Sequence, residues 1–453
     1  MRISIIGTGY VGLVSGVCLA SKGHDVICVD KLDSIVAKIN KGEPPIYEEG
    51  LEPLLKETVT GKKLIATMDM AYAVSNSEVS IIAVGTPYVG DSIDLTYIKE
   101  AAAEIGAVLR NKKEYHVVCV KSTVVPTTTD SIVRKVLEQS SGKKAGEFGL
   151  VMNPEFLKEG EALEDFLKPD RIVIGAFDEK SFETFKKVYE NCFDAPIIKV
   201  NPRTAEMIKY ASNSLLATLI SFSNEIAAIS EEVGNIDSAE VLECVNLDKR
   251  ISPRINRNLI KPGITRYIKS SRGFGGSCFP KDVKAIIAFS EDCGYTPKIL
   301  KSAIEVNELQ AMRMLGILKR ELLELKDKNI AVLGLAFKAN TDDVRESQSI
   351  KLVKELIREH ARIKCHDPIA IENAKKELQN NPAVLMTDNY EEALKGADAA
   401  VIMTDWQSIV NIPLNRYAEL MKNPLIVDGC RVLSKLDAES YGVRYVGIGL
   451  NKK

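Results

Sequence analysis

Short apolar runs punctuate the first half of the chain: RISII at 2–6, HDVICVD at 24–30, SIIAVGTP at 80–87, HVVCVKST at 116–123 and FGLVMNP at 148–154. Helical patterns separate them. Strands alternating with helices predict a parallel sheet with crossover helices, buried on both faces. RIVIGA at 171–176 and PIIKV at 196–200 predict two more strands. The periodicity then changes. No proline or glycine interrupts 204–233, where Met207, Ile208, Ala211, Leu215, Leu219, Phe222 and Ile226 recur at helical spacing before Gly234 stops the pattern. A single helix of about thirty residues would run about 45 Å, the length of a connecting spine. Further helical segments reach Leu325, and at Lys328 the strand pattern returns with KNIAVLGLAFK. ARIKCHDP at 361–368, ADAAVIMTDW at 397–406 and PLIVDGC at 424–430 continue it. The expected fold is α/β: two Rossmann-like, doubly wound parallel-sheet domains joined by a long central helix and a helical middle domain. The expected boundaries are 1–203, 204–322 and 323–453.

Composition narrows the picture. A chain of 453 residues is too long for one core and predicts roughly two to four domains. A formal net charge of -2 gives no general attraction to nucleic acid or to an anionic membrane. No apolar run approaches the ~18 residues of a bilayer span, and the opening MRISIIGTGYVG lacks the basic leader of a signal peptide. The nine cysteines are scattered, with no C-x-x-C pair. That pattern predicts a reducing, cytoplasmic location and no bound metal.

Gly7, Gly9 and Gly12 form G-T-G-Y-V-G directly after a strand and before a helix, with Tyr10 and Val11 among the candidate cofactor contacts, and Asp30 ends the next strand 18 residues past Gly12. Gly7 permits the tight turn, Gly9 lets backbone approach a pyrophosphate, and Gly12 lets helix and strand pack closely. Asp30 would accept hydrogen bonds from a ribose diol and repel a 2'-phosphate, which favours NAD over NADP. Gly85, Thr86 and Pro87 of VGTP, and Ser122 and Thr123 of KST, close later strands at the edge where such sheets bind ligands. Each read singly also fits ordinary loop capping. The second unit keeps one glycine, Gly334, and places Phe337 and Lys338 where a pyrophosphate needs small residues. It predicts a phosphate or nucleotide ligand at Lys338 rather than a second NAD.

The stretch GFGGSCFPKD at 273–282 carries the candidate chemistry. Pro280 suits a first helical turn, so Cys278 stands just ahead of a helix N-terminus, which favours negative charge on sulfur. Lys281 adds positive charge, and the glycines would let a ligand approach the backbone. Cys278 and Asp282, Lys209 and Asn213, and Glu155 and Glu159 are spaced four apart, which within a helix puts each pair on one face. Pro154 with Asn153 as its cap could open a helix for the last pair. Taken alone, Cys278 reads as a core cysteine, Lys209 and Asn213 as a solvated stripe, and the glutamates as a charged face. A redox cofactor upstream turns all three toward catalysis. An aldehyde can add to sulfur, lose hydride as a thiohemiacetal, and leave as a carboxylate after thioester hydrolysis.

GTGYVG, VGTP, KST, NPEFLKEG, AEMIKYASN, GFGGSCFPKD, LAFKANTDDVRES and DGCRVL follow one another along nearly the whole chain. In this order they resemble the UDP-glucose/GDP-mannose dehydrogenase family. The resemblance implies oxidation of a sugar C6 alcohol to the acid with two NAD+, UDP-glucose first among the substrates, in a homodimer or larger homo-oligomer. It implies Cys278 as nucleophile, Lys209 and Asn213 at the oxyanion, Asp282 and Thr123 placing water, and Glu155 and Glu159 assisting proton transfer. Phe156, Leu157 and Lys158 of NPEFLKEG, with Tyr267 and the segment KSSRGFG at 269–275 (Lys269, Ser271, Gly273, Phe274 and Gly275 foremost), would line the sugar nucleotide. Phe337 and Lys338 would contact its phosphates, and Glu159 and Arg345 would reach NAD.

Departures stand out. Cys430 occupies a position where the family usually has a substrate-contacting arginine, leaving Arg431 as the substitute. The segment NRNLIKPGI is inserted before TRYIKSS, so the inter-subunit substrate arginine is Arg254, Arg257 or Arg266. Ile35 stands where a basic residue often follows the ribose-binding acid. The same chemistry on GDP-mannose is the nearest rival, ahead of UDP-N-acetylhexosamine enzymes. A two-electron β-hydroxyacid dehydrogenase and a non-catalytic NAD-binding scaffold are more remote.

Overall fold

Ile3 and Ile5 of the first strand face one side of a sheet and Ile6 the other, and the strand at 117–120 splits in the same way. Both faces must therefore be covered, and helices cover them. The computed structural model describes residues 1–89, 92–256 and 258–450. They form two units, Met1–Ser212 and Asn213–Lys453, and the division falls within the long helix.

The first unit carries β1 (Arg2–Ile6), β2 (Asp25–Val29), β3 (Leu64–Thr67), β4 (Val79–Ile82), a small hairpin of β5 (Tyr88–Val89) and β6 (Ser92–Ile93), β7 (Val117–Val120), β8 (Gly149–Met152), β9 (Ile172–Ala176) and β10 (Ile197–Val200). The large sheet has the order β10-β9-β8-β7-β4-β1-β2-β3. The sheet is not wholly parallel: β9 pairs antiparallel with β8, and β10 runs parallel to β9. The order reverses direction between β1 and β4, which places the ends of those two strands at a topological switch point, the usual ligand crevice of such sheets.

In the second unit the rest of the long helix and a helix at Ser238–Asn246 precede a hairpin of β11 (Arg254–Ile255) and β12 (Asn258–Leu259), of which the inserted segment supplies β12. Arg254 is exposed on that hairpin, and Arg257 lies outside the described residues. Helices Phe279–Asp292, Lys298–Glu308 and Gln310–Leu322 follow. The second sheet comprises β13 (Asn329–Leu333), β14 (Arg362–His366), β15 (Val384–Thr387), β16 (Ala399–Ile402), β17 (Leu425–Asp428) and β18 (Arg444–Gly447). Its order is β15-β14-β13-β16-β17-β18, with every pair parallel. Its switch point lies between β13 and β16.

The long helix spans Pro202–Val233, 32 residues, or about 48 Å. Gly234 stops it at φ 78°. Its apolar stripe does not face inward. Met207, Leu215, Phe222, Ile229 and Val233 are exposed, while Asn213, Ser214, Ala217, Ser221, Ser223, Asn224 and Ala227 are buried.

Candidate active site

The first βα turn fits a dinucleotide. Gly7 adopts φ 94°, and a Cβ there would sit 2.9 Å from the Ala83 carbonyl at the end of β4. A Cβ on Gly12 would meet the Gly7 carbonyl at 1.9 Å, so the helix Tyr10–Ser21 can pack this close only with glycine. Gly9, the helix N-cap, has nothing within 4 Å on its side-chain face and supplies no side-chain cap. That leaves the helix N-terminus approachable by phosphate oxygens. Asp30 accepts from the Thr8 amide at 3.2 Å and from the Leu32 amide at 3.0 Å, which fixes its carboxylate at the end of β2. Thr86 Oγ1 donates to the Thr123 carbonyl at 3.1 Å and Ser122 Oγ to the Val84 carbonyl at 2.7 Å, so VGTP and KST form one rim. Tyr10 donates to the buried carboxylate of Glu48, which also receives the Gly160 and Ala162 amides, both at 2.7 Å. Glu48, which carries no motif, thereby ties the helix start to the turn at Glu159–Gly160.

The equivalent acid of the second sheet is used differently. Asp367 is buried, and its oxygens accept from the amides of Leu335, Ala336, Ile369 and Ala370 and from Trp406 Nε1. A Cβ on Gly334 would lie 2.4 Å from Thr404 Cβ, so protein fills the space beside this turn.

NPEFLKEG is not helical: residues 153–158 are irregular and the next helix begins at Ala162. The expected helical pairing of Glu155 with Glu159 therefore does not form. Asn153 is no helix cap; its Oδ1 accepts from buried Lys121 Nζ at 3.0 Å and its Nδ2 donates to the Val173 carbonyl at 2.8 Å. The loop turns Glu155 inward, where Oε1 meets Lys209 Nζ at 2.8 Å in a buried ion pair and Oε2 accepts the Leu157 amide at 2.6 Å. Burial alone would raise the Glu155 carboxyl, but Lys209, the Leu157 amide and Lys121 outweigh it and hold the group below its ordinary value. Burial pushes Lys121 down. A cavity of about 80 Å³ opens beside Lys121, Asn153, Glu155, Phe156, Arg171 and Tyr189. The Arg171 guanidinium stacks 4.0 Å from the Phe156 ring centre. Leu157 packs against the core, and Lys158 pairs with Glu161 at 2.7 Å and Asp165 at 3.1 Å.

In the second unit Cys278 is the N-cap of Phe279–Asp292, half-buried, with Ser277 Oγ at 3.5 Å from its sulfur. One turn on, Asp282 is 1% exposed. Its Oδ2 accepts from Asn213 Nδ2 and its Oδ1 from Lys281 Nζ, each at 2.6 Å. Lys281 thus pairs with the aspartate. Lys209 and Asn213 share one face of the long helix, each committed to a buried carboxylate.

The glycines before Cys278 admit protein rather than leaving open room. A Cβ on Gly273 would meet Asn307 Oδ1 at 2.5 Å, on Gly275 the Glu346 carbonyl at 2.5 Å, and on Gly276 the Phe337 ring at 2.7 Å. The Phe274 side chain is core, packed with Ala217, Val283 and Ile304. Asn307 clamps the Phe274 backbone, accepting its N–H at 2.8 Å and donating to its carbonyl at 3.0 Å. Asn224 accepts the Ser271 amide at 2.8 Å. Neither asparagine carries a motif signal; each is simply a polar residue at a buried helical position. The Tyr267 ring is tilted against Phe279 with centres 6.4 Å apart, Lys269 is exposed, and Lys338 lies 5.8 Å from the Phe337 ring centre. Arg345 forks onto Asp343 at 2.8 and 2.7 Å. Arg431 is fixed in protein contacts: its Nη2 meets both Asp237 oxygens at 2.8 and 2.7 Å and its Nη1 the Ile448 carbonyl at 3.0 Å. Among the described residues no cluster of three His, Cys, Asp or Glu side chains is arranged for a metal ion.

Three consecutive segments match one family: residues 1–193 its NAD binding domain, 203–309 its central domain and 331–435 its UDP binding domain. NAD is accordingly the cofactor. The chain is 40% identical to UDP-glucose 6-dehydrogenase AglM of Haloferax volcanii over 447 residues, covering 97% of this chain and 99% of that protein. It is 40% identical to UDP-glucose 6-dehydrogenase TuaD of Bacillus subtilis over 450 residues, covering 99% and 93%. A solved UDP-glucose dehydrogenase from Pyrobaculum islandicum superposes with a TM-score of 0.89 at 38% identity, covering 99% of this chain and 97% of that one. The chain belongs to the UDP-glucose/GDP-mannose dehydrogenase family.

Proposed function

We propose that this chain oxidises UDP-glucose to UDP-glucuronate in two hydride transfers, with Cys278 as the covalent nucleophile. The observation that carries the reading is full-length similarity to curated UDP-glucose 6-dehydrogenases at 40% identity. It is joined by an intact set of Cys278, Asp282, Asn213, Lys209 and Glu155. In this reading residues 1–203 bind NAD, 204–322 carry the nucleophile and the subunit contact, and 323–453 bind the nucleotide. Bound NAD+ supplies the acceptor for each hydride, two per turnover.

The C6 alcohol gives up a proton and a hydride to become the aldehyde. The Cys278 thiolate adds to the aldehyde carbon, and the alkoxide oxygen of the thiohemiacetal is held by Lys209 Nζ and Asn213 Nδ2. Loss of the second hydride leaves a thioester. Water placed by Asp282 and Thr123 attacks it, and the C–S bond breaks to give the carboxylate and regenerate the thiol. Glu155 and Glu159 assist proton transfer. Overall, one alcohol, one water and two NAD+ give one carboxylate, two NADH and three protons. NADH formation against UDP-glucose, UDP-N-acetylhexosamines and GDP-mannose tests the reading. Two NADH per UDP-glucose are expected; one NADH with aldehyde released, or turnover confined to GDP-mannose, overturns it.

The exposed stripe of the long helix makes a self-association surface, since Leu215, Phe222 and Ile229 lie seven apart and are 54%, 47% and 53% exposed. A homodimer would cover it. Phe222→Glu is expected to shift the protein to monomer in sedimentation, with an unchanged circular dichroism spectrum. An unshifted oligomer would exclude this stripe as the interface. No helix among the described residues is long and apolar enough to cross a membrane. The nine scattered cysteines, with no C-x-x-C pair, fit a cytoplasmic location.

A further inference from the structure

Arg272 lies in the loop just before Gly273 and is buried. Its acceptors are few for a guanidinium: Nη1 donates to Cys430 Sγ at 3.2 Å and Nη2 to the Phe337 carbonyl at 2.8 Å. The Asp405 carboxylate stands at 4.0 Å, the outer limit of an ion pair, and is half exposed. Cys430 offers no counter-charge, because burial pushes its thiol up to about 12 even with Arg272 beside it. Asp428 is occupied by the amides of Cys430, Val432 and Leu433 and by Tyr445. A buried guanidinium so poorly neutralised is costly unless an anion completes its fork.

The position of the guanidinium says which anion. Phe337 and Lys338 follow β13, Asp405 follows β16 and Cys430 follows β17, at the carboxyl ends of three adjacent parallel strands. That edge of a doubly wound sheet, at its switch point, is where nucleotides bind. We propose that Arg272 binds the diphosphate of the nucleotide-sugar substrate. This rests on the reading above, in which the second sheet takes the nucleotide. Arg431 cannot turn to this task without leaving Asp237, so the guanidinium absent from position 430 is delivered from position 272. Cys430 is the small neutral seat that lets it enter.

Titration calorimetry with UDP, UMP and NAD tests this without requiring turnover. Arg272→Met is expected to weaken UDP about 100-fold, the loss of a charge-assisted fork. UMP should weaken less, and NAD should be unaffected. Arg272→Lys, which keeps the charge and loses the fork, should weaken UDP about tenfold. Moving the guanidinium, as Arg272→Val with Cys430→Arg, should recover most of the UDP affinity that Arg272→Val loses. Unchanged UDP affinity in Arg272→Met overturns the proposal, as does a double variant no better than Arg272→Val. If Arg272→Met fails to fold, unchanged UDP affinity in Arg272→Lys overturns it equally. UDP affinity that depends on Arg272 in a protein that does not oxidise UDP-glucose would sustain this assignment and sink the substrate reading. Turnover with UDP affinity indifferent to Arg272 would do the reverse.

Discussion

Replacing Cys278 with serine should lower carboxylate formation from UDP-glucose by at least about 10³-fold, the scale seen when a covalent nucleophile is removed. The reason lies in the second oxidation. The first hydride leaves an alcohol carbon and needs no sulfur, but the aldehyde must become a tetrahedral adduct before it can lose another. A serine hydroxyl at position 278 is far weaker as a nucleophile than a thiolate at a helix N-terminus. Asp282, one turn away, is held by Asn213 and Lys281 at 2.6 Å each. The variant should therefore stop at the aldehyde, which hydroxylamine would trap as an oxime with one NADH formed per sugar. Cys293→Ser, at the exposed C-terminal end of the same helix, should leave the rate unchanged. Carboxylate formed by Cys278→Ser at the wild-type rate would remove the thioester from the mechanism.

The parts legible from sequence were those whose function imposes a local pattern. The Gly7–Gly12 turn needs glycines at fixed offsets whatever surrounds it, and the long helix needs an uninterrupted run and a stop. The long strands were legible because both their faces are buried. β3, β15 and β18 left no such run: each mixes buried with exposed or half-exposed positions. The antiparallel pairing of β9 with β8 was hidden because a short buried strand reads the same in either direction. NPEFLKEG misled for another reason. Pro154 and the Glu155–Glu159 spacing suit a helix, yet Glu155 satisfies a buried lysine far along the chain, and no local pattern records that partner. The glycines before Cys278 read as room for a ligand, but what approaches them is Phe337, Asn307 and the Glu346 backbone. Arg272 lies in KSSRGFG, a segment that the family resemblance puts at the sugar nucleotide, but only the position of its acceptors points it at the diphosphate.

The Lys209–Glu155 pair should be the most costly to break in the first unit. Its side chains are 3% and 5% exposed, so removing the ammonium strands a carboxylate in a dry place. Lys209→Met is expected to cost about 3–5 kcal/mol in urea unfolding at pH 7.5, besides abolishing turnover. The pH dependence should change sign. In the wild type Glu155 sits below its unfolded value, so its contribution is present above the unfolded pKa and is lost as pH falls through the folded one. Without Lys209, burial prevails and lifts the folded value above the unfolded one. The contribution is then present in acid and lost as pH rises, so the deficit of Lys209→Met should shrink toward pH 4.5. The double variant Glu155→Gln, Lys209→Met should recover much of the neutral-pH loss, because a neutral amide can be buried with its Leu157 hydrogen bond kept. The coupling in that double-mutant cycle isolates the pair. A deficit equal at both pH values, or no coupling between the two substitutions, would mean that Lys209 is held for packing rather than for its charge. In the proposed mechanism the gain from keeping such a pair is functional: Glu155 fixes the Lys209 ammonium in place, so a proposed oxyanion donor is preorganised before substrate arrives.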